Sequence, residues 1–308
     1  MSQEIEKKIG LIIGDEQEWP DAFIQAVNQR SEPVSAELVK LSGTFVNDTC
    51  PYDVIVDRIS HIVPYYRAYL KFAALRGAFI INNPFTWSAD SRFYDKALLN
   101  QLGYKTPRTV ILPNKYIKID ATPDTFRNLD YPMDWQAIID YVGVPAIFKD
   151  NHTGGRPETY RVHNVDELLN WYDESGTRTK ILQQLIPADR HIHYFVVGQE
   201  QVMALEFSPA NGRYLPGILS LEDSLGQRLA AAARRISRAY EYDINMVEFV
   251  IQGDVFYVIN GSNPAPELNR ELMTEEQFDW CLREIVTTAV QRALDPPPQK
   301  IIPAHKNS

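Results

Sequence analysis

The chain has 308 residues, of which 44% are hydrophobic and 23% charged, and its mean hydropathy is -0.29. A formal net charge of -9 and an isoelectric point near 5.2 argue against nucleic acid or an anionic membrane as the main partner, while leaving room for a local basic pocket that takes phosphates. No apolar run is long enough to span a bilayer, the start M-S-Q-E-I-E-K-K has no signal-peptide core, and Cys50 and Cys281 are too far apart to suggest a disulfide scaffold; a cytoplasmic protein of two or three lobes is expected.

The first third alternates short apolar runs with helical patterns. Lys8 to Gly14 predicts a strand, and Trp19 to Gln29 a helix with Phe23, Ile24 and Val27 on one face. Leu38 to Leu41 is a weaker strand, and Tyr52 to Val56 a clear one. Pro64 to Arg76 predicts a helix, with proline in its first turn and Gly77 at its end. Ala78 to Asn82 is the next strand, and this alternation predicts a parallel sheet covered on both faces. A helix opened by Lys96 ends near Gly103, and Val110 to Leu112 is a strand. Lys115 to Met133 reads as a polar surface excursion, followed by a helix over Trp135 to Val142. Strand P-A-I-F-K, loop D-N-H-T-G-G-R, strand E-T-Y-R-V, helix V-D-E-L-L-N-W-Y and strand K-I-L-Q-Q-L-I then form a compact α+β unit. Strands at His193 to Val197 and Val202 to Phe207, a helix over Leu225 to Tyr240, a hairpin across Gly253-Asp254 and a helix over Glu275 to Leu294 complete the chain.

Four elements bear on chemistry. Lys149 closes an apolar strand, so its ammonium can point into a cleft as a point charge for phosphates, and Gly154 and Gly155 allow backbone N–H groups close to them. Lys96, in S-R-F-Y-D-K-A-L-L, is a cation near a helix start, where an anion would offset the helix dipole. Gln184, Leu185 and Ile186 link two lobes with backbone groups able to read an adenine edge, and Asp189 follows at a distance suited to ribose hydroxyls. In the fourth element, a hairpin brings Glu248 near the run Asn260-Gly261-Ser262-Asn263, offering oxygen ligands to magnesium. Taken singly, each reads more readily as a surface lysine, an edge strand or a turn. The histidines form no zinc pattern, and neither a Walker loop nor G-x-G-x-x-G is present.

The order of these elements resembles the ATP-grasp superfamily over about Ile9 to Pro266, near its ribosomal-protein glutamate ligase, glutathione synthetase and D-alanine–D-alanine ligase branch. The motifs are Y-D-V-I-V-D-R, I-N-N-P, D-K-A-L-L-N-Q-L-G-Y-K-T-P-R-T, P-A-I-F-K with its glycine loop, L-Q-Q-L-I, H-I-H-Y-F-V-V-G, V-E-F and I-N-G-S-N-P. The resemblance implies an α/β protein of three lobes: an N-terminal parallel-sheet domain (1–105), a central α+β lid (106–186) and a C-terminal lobe (187–308). It implies ATP held by Lys96, Lys149, Gly154, Gly155, Gln184, Leu185, Ile186 and Asp189, with Mg2+ at Glu248, Asn260 and Asn263. It implies catalytic roles for Arg213 and His193 and a substrate contact for Arg58. The implied activity is a carboxylate–amine ligase acting through an acyl phosphate on a small acid or peptide, with a homodimer as the common assembly. Family members usually carry an acid where Asn260 stands and an arginine near His193, so a catalytically weak ATP-binding regulator is the alternative.

Overall fold

Alternation of short buried strands with amphipathic helices organises the computed structural model, which describes residues 6–86, 91–117, 126–152 and 159–301. Strands β1 (Lys7–Ile12), β2 (Val34–Leu38), β3 (Val54–Asp57) and β4 (Phe79–Ile81) form a parallel sheet in the order β2-β1-β3-β4. Every residue of β3 is buried, because helices cover both faces. Helix α1 (Glu18–Asn28) and the closing helix α7 (Glu275–Leu294) pack on one face, and α2 (Pro64–Leu75) on the other. The second strand lies N-terminal to the stretch Leu38 to Leu41 expected from sequence. The stretch V-S-A-E-L-V-K-L alternates on either side of Leu38-Val39, and pairing of Val34 to Leu38 with Lys7 to Leu11 decides which part is strand.

Helix α3 (Arg92–Gln101) begins four residues before the position expected from sequence. Ser91 is its N-cap, its hydroxyl accepting from the Tyr94 N–H. Lys96 therefore lies beyond the first turn and is buried, which corrects the expectation of a lysine opening the helix.

The central unit is an antiparallel sheet of order β5-β8-β6-β7, from β5 (Thr109–Leu112), β6 (Ala146–Asp150), β7 (Thr159–Val162) and β8 (Lys180–Gln184). Helices α4 (Trp135–Val142) and α5 (Val165–Asp173) cover one face, where Ala146, Phe148 and Leu182 are buried. Period-two alternation puts Ile147, Lys149 and Gln183 on the other face.

The third sheet is antiparallel, in the order β11-β10-β9-β12-β13: β9 (Arg190–Val197), β10 (Gln201–Ser208), β11 (Arg213–Tyr214), β12 (Ile244–Gln252) and β13 (Val255–Asn260). The turn between β9 and β10 spans residues 198–200, since Val197 pairs with Gln201, and both Gly198 and Gln199 have positive φ. Helix α6 (Ser224–Tyr240) covers one face, burying Ile192, Tyr194, Val247 and Phe249, and Leu99 of α3 joins this core. The opposite face shares a core with α7 and the parallel sheet.

Polar clamps fix the first and third sheets together. The buried Asn82 amide donates to the Ile244 carbonyl at 2.6 Å and accepts the Ile244 N–H at 2.8 Å. Arg292 of α7 makes a two-pronged pair with Asp243, both contacts 2.9 Å. At the edge of the parallel sheet, the Gln299 side chain accepts the Ile80 N–H and donates to the Ile80 carbonyl. No helix among the described residues is long and apolar enough to cross a membrane.

Asn82→Ala would leave both backbone groups of Ile244 buried without their partner. We expect it to lower unfolding free energy by about 2–4 kcal/mol in a denaturant titration, at roughly 1–3 kcal/mol per orphaned group.

Candidate active site

A cleft of about 180 Å³ opens where the bare face of the central sheet meets β9 and β12. Lys149 and Gln183 line it from the central sheet, Gln184, Leu185 and Ile186 from the connection to β9, and His193 and Glu248 from the third sheet. These residues are distant in sequence, and strand pairing brings them together. Lys149 precedes the end of β6, and Glu248 is the register partner of both His193 and Asn260.

Lys149 donates to the Gln183 side-chain oxygen at 2.8 Å. Burial, reinforced by the positive charges of Arg92 and Lys96, pushes its ammonium down to about 7, although Glu248 and Asp95 oppose the shift. Lys96 has a partner of its own, an ion pair with the adjacent Asp95, and both side chains are almost fully buried. The Asp95 carboxylate also accepts the Tyr240 hydroxyl at 2.6 Å and the Gly261 N–H at 3.2 Å. One acid thereby joins α3, α6 and the loop after β13. Gly261 has to be glycine for this approach, since a Cβ there would lie 2.7 Å from Asp95 Oδ1 and 2.9 Å from Leu99.

The connection from the central sheet to β9 runs along the cleft. The ladder of the central sheet ends at Gln184, and the backbone of Leu185 and Ile186 continues past it along the cleft. The Gln184 N–H and side-chain oxygen are both engaged by Arg108. Asp189 does not line the cleft; its carboxylate accepts the Gly253 N–H at 2.8 Å and closes the turn between β12 and β13.

Candidate oxygen ligands for a hard cation, on Glu248, Asn260 and Ser262, lie at the end of the β12–β13 pair. The Asn260 amide donates to Glu248 Oε1 at 3.0 Å, and its carbonyl accepts the Ser262 N–H at 3.4 Å. Ser262 Oγ is buried without a hydrogen-bond partner, an unclaimed donor-acceptor two residues from Asn260, which sequence reasoning passed over. The Asn263 backbone is held by Asn245 and Met246. One carboxylate with an amide and a hydroxyl fits a single cation that keeps waters or phosphate in its shell. No cluster of three or more His, Cys, Asp or Glu side chains occurs among the described residues.

His193 lines the cleft beside Glu248 but is not free to act as a cation. Its ring stacks on Phe207 at 5.0 Å, Nδ1 is 3.0 Å from the Tyr214 hydroxyl, and burial holds its pKa below the usual range despite nearby Glu248. Arg213 is on the exposed side of the short strand β11, whose inward residue is Tyr214; the structure does not bring Arg213 to the cleft. Gly154 and Gly155 lie outside the described residues.

A second cavity, of about 860 Å³, lies at the carboxyl ends of β1 and β3 against the loop 265–271. Arg58 is in its wall, 3% exposed, with Nε 3.2 Å from the Glu16 carboxylate, Nη2 2.6 Å from the Pro266 carbonyl and Nη1 unpartnered. Its guanidinium lies 5.0 Å from the Trp19 ring. Asp15, Glu18, Glu267 and Glu271 line the rim, and neighbouring His61 is pushed down to about 4 by burial and by Arg58 and Arg67.

No family model matches the sequence, and no curated protein matches it. Solved structures do match over most of the chain. A RimK domain ATP-grasp protein from Sphaerobacter thermophilus aligns with 92% of this chain and 99% of its own, at 17% identity and a TM-score of 0.67. A D-alanine–D-alanine ligase from Bacillus anthracis, complexed with ATP, aligns over 94% and 97%, at 14% identity and a TM-score of 0.62. The ATP-grasp ligase PsnB, complexed with a precursor peptide and AMPPNP, aligns over 92% and 99%, at 12% identity and a TM-score of 0.57. With its parallel N-terminal sheet followed by two antiparallel sheets, the chain has the ATP-grasp fold.

Proposed function

We propose that the protein is an ATP-dependent carboxylate–amine ligase that activates a small acid or peptide as an acyl phosphate. The observation carrying this reading is the meeting of Lys149, the 184–186 backbone and Glu248 on one cleft, with Lys96 close enough to act on Lys149 by its charge. Adenine would lie along Leu185 and Ile186, with phosphates toward Lys149 and Lys96. Glu248, Asn260 and Ser262, with Asn263 alongside, would hold Mg2+, whose contribution is to neutralise phosphate charge during transfer. The chain runs from Asn260 directly into the loop 265–271, so the acid or amine would occupy the cavity beneath Arg58. The central lobe (106–186) would move against the lobes at 1–105 and 187–308, which polar clamps and a shared core hold together, and close on the nucleotide. The peptide bound by PsnB supports a peptide as one acceptor class.

A catalytically weak ATP-binding regulator is the second reading. Asn260 gives its amide to Glu248 where a second carboxylate would strengthen metal binding, and His193 is neutral under Tyr214.

MgATP at millimolar concentration should raise the melting temperature, and Lys149→Ala should abolish the rise; no shift in the parent protein would sink both readings. Release of ADP and phosphate with a mass gain on one acceptor, in a screen of amino acids and short peptides, separates ligase from regulator. Lys149 titrates near 7 in the free protein, and a bound triphosphate favours its charged form, so binding takes up a proton above that pH. Affinity should therefore fall between about pH 7 and 9, by up to roughly tenfold per unit. Lys149→Arg should flatten this profile in calorimetry, because guanidinium keeps its proton. Asn260→Asp places two carboxylates side by side; it should destabilise the free protein and increase the stabilisation by MgATP, whereas an unchanged Mg2+ response would remove Asn260 from the metal site.

A further inference from the structure

We propose that Arg92 is a third cation of the phosphate grip and the one whose charge does not depend on pH. The inference rests on the nucleotide reading above and adds a residue to it. Arg92 and Lys96 are four apart on α3 and so share a helix face. The start of α3 is strapped beside Lys149: the Arg92 N–H donates to the Asn151 carbonyl at 2.8 Å, and the Phe93 N–H to the Asn151 side chain at 3.0 Å. With Tyr94 N–H on Ser91, the helix terminus is already satisfied by protein, so the side chain and not the backbone is the available donor.

The Arg92 guanidinium makes no hydrogen bond or ion pair among the described residues, and its Nε is buried without a partner. Arg92 is half-buried, and a guanidinium with its Nε shut off from water and unmatched gains from an anion that completes it. The charges around it are Lys149, Glu248, Asp95 and Asp150, which are the walls of the cleft and the pair beneath it. Of the three acids, Glu248 has the largest effect on Arg92 and accepts the Asn260 amide. Asp95 is engaged by Lys96, Tyr240 and Gly261, and Asp150 by Lys180 and Arg178.

The other cations are conditional. Lys96 is neutralised by Asp95, and Lys149 is half-discharged near pH 7. On the opposite wall His193 is held neutral. A guanidinium stays protonated throughout, and its planar fork can take two phosphate oxygens at once. Arg92 thus supplies the charge that remains when Lys149 loses its own.

The test is calorimetric titration of Arg92→Gln and Arg92→Met with MgATP, MgADP and adenosine at pH 7.0 and 8.5, beside the melting temperature of each free protein. Both variants should bind adenosine as the parent does and MgATP at least tenfold more weakly, with the deficit larger at pH 8.5. The methionine variant keeps the aliphatic packing and is read if the glutamine variant fails to fold. Parent-like MgATP affinity in either folded variant would overturn the role of Arg92 while leaving the nucleotide reading intact. An equal loss for adenosine and MgATP would make Arg92 a structural residue only. Absence of nucleotide binding by the parent would remove the nucleotide reading and this assignment together.

Discussion

A single buried carboxylate, Asp95, sets the geometry of the cleft. It neutralises Lys96, takes the Tyr240 hydroxyl from α6 and the Gly261 N–H from the loop after β13. Its negative charge and the hydrogen bond push the Tyr240 phenol further up from the high value that burial already imposes. A charge this deep is tolerable only with its partners in place, since each bond it accepts replaces lost hydration. The cost of losing any partner makes α3, α6 and the Asn260-Gly261-Ser262 turn a rigid unit. The Lys149 and Glu248 walls of the cleft are thus set relative to each other, which reduces the ordering that binding of any ligand there must otherwise impose.

The central sheet contributes differently. One face is packed under α4 and α5, whereas the other carries Ile147, Lys149 and Gln183 toward open space. Gln183 bridges the two functions of that face, accepting from Lys149 and donating to Thr109 at 3.0 Å. It holds the lysine extended in a position where solvation is poor and like charges are close. Such an ammonium is poised to gain from an anion, because the anion repays desolvation and repulsion at once. A conventional solvated surface lysine would gain far less.

Much of this was legible in the sequence, and the exceptions have physical causes. Helices α4 and α7 start and stop where their caps and apolar spacing place them, at Asp134 and Thr274. The Lys149 strand and the Glu248 hairpin were equally plain from apolar runs and turn residues. The start of α3 was not, because Arg92, Phe93 and Tyr94 carry no strong helical period, and the cap at Ser91 declares itself only through its bond to Tyr94. Strand β11 is two residues long and exists because Phe207 and Ser208 pair with it. Long-range polar geometry was invisible throughout. Arg58 looked like an open guanidinium at a strand end, yet Glu16 and Pro266 claim most of it. Asp189 had the right spacing for a cleft residue, but a turn from another hairpin takes its carboxylate. Periodicity reports which face is apolar; it does not report which polar partner arrives from 60 or 200 residues away.

The Gln299 side chain has a consequence beyond stability. In the three-residue strand β4, Phe79 and Ile81 turn their bonding groups toward β3, so Ile80 alone presents an N–H and a carbonyl at the open border. A border of that kind is a template on which another extended segment can assemble. The amide of Gln299 has one acceptor and one donor at the spacing of a peptide unit, and it fills both positions. It acts as a one-residue imitation of a fifth strand, so the parallel sheet ends at β4 and offers no surface there for templated growth.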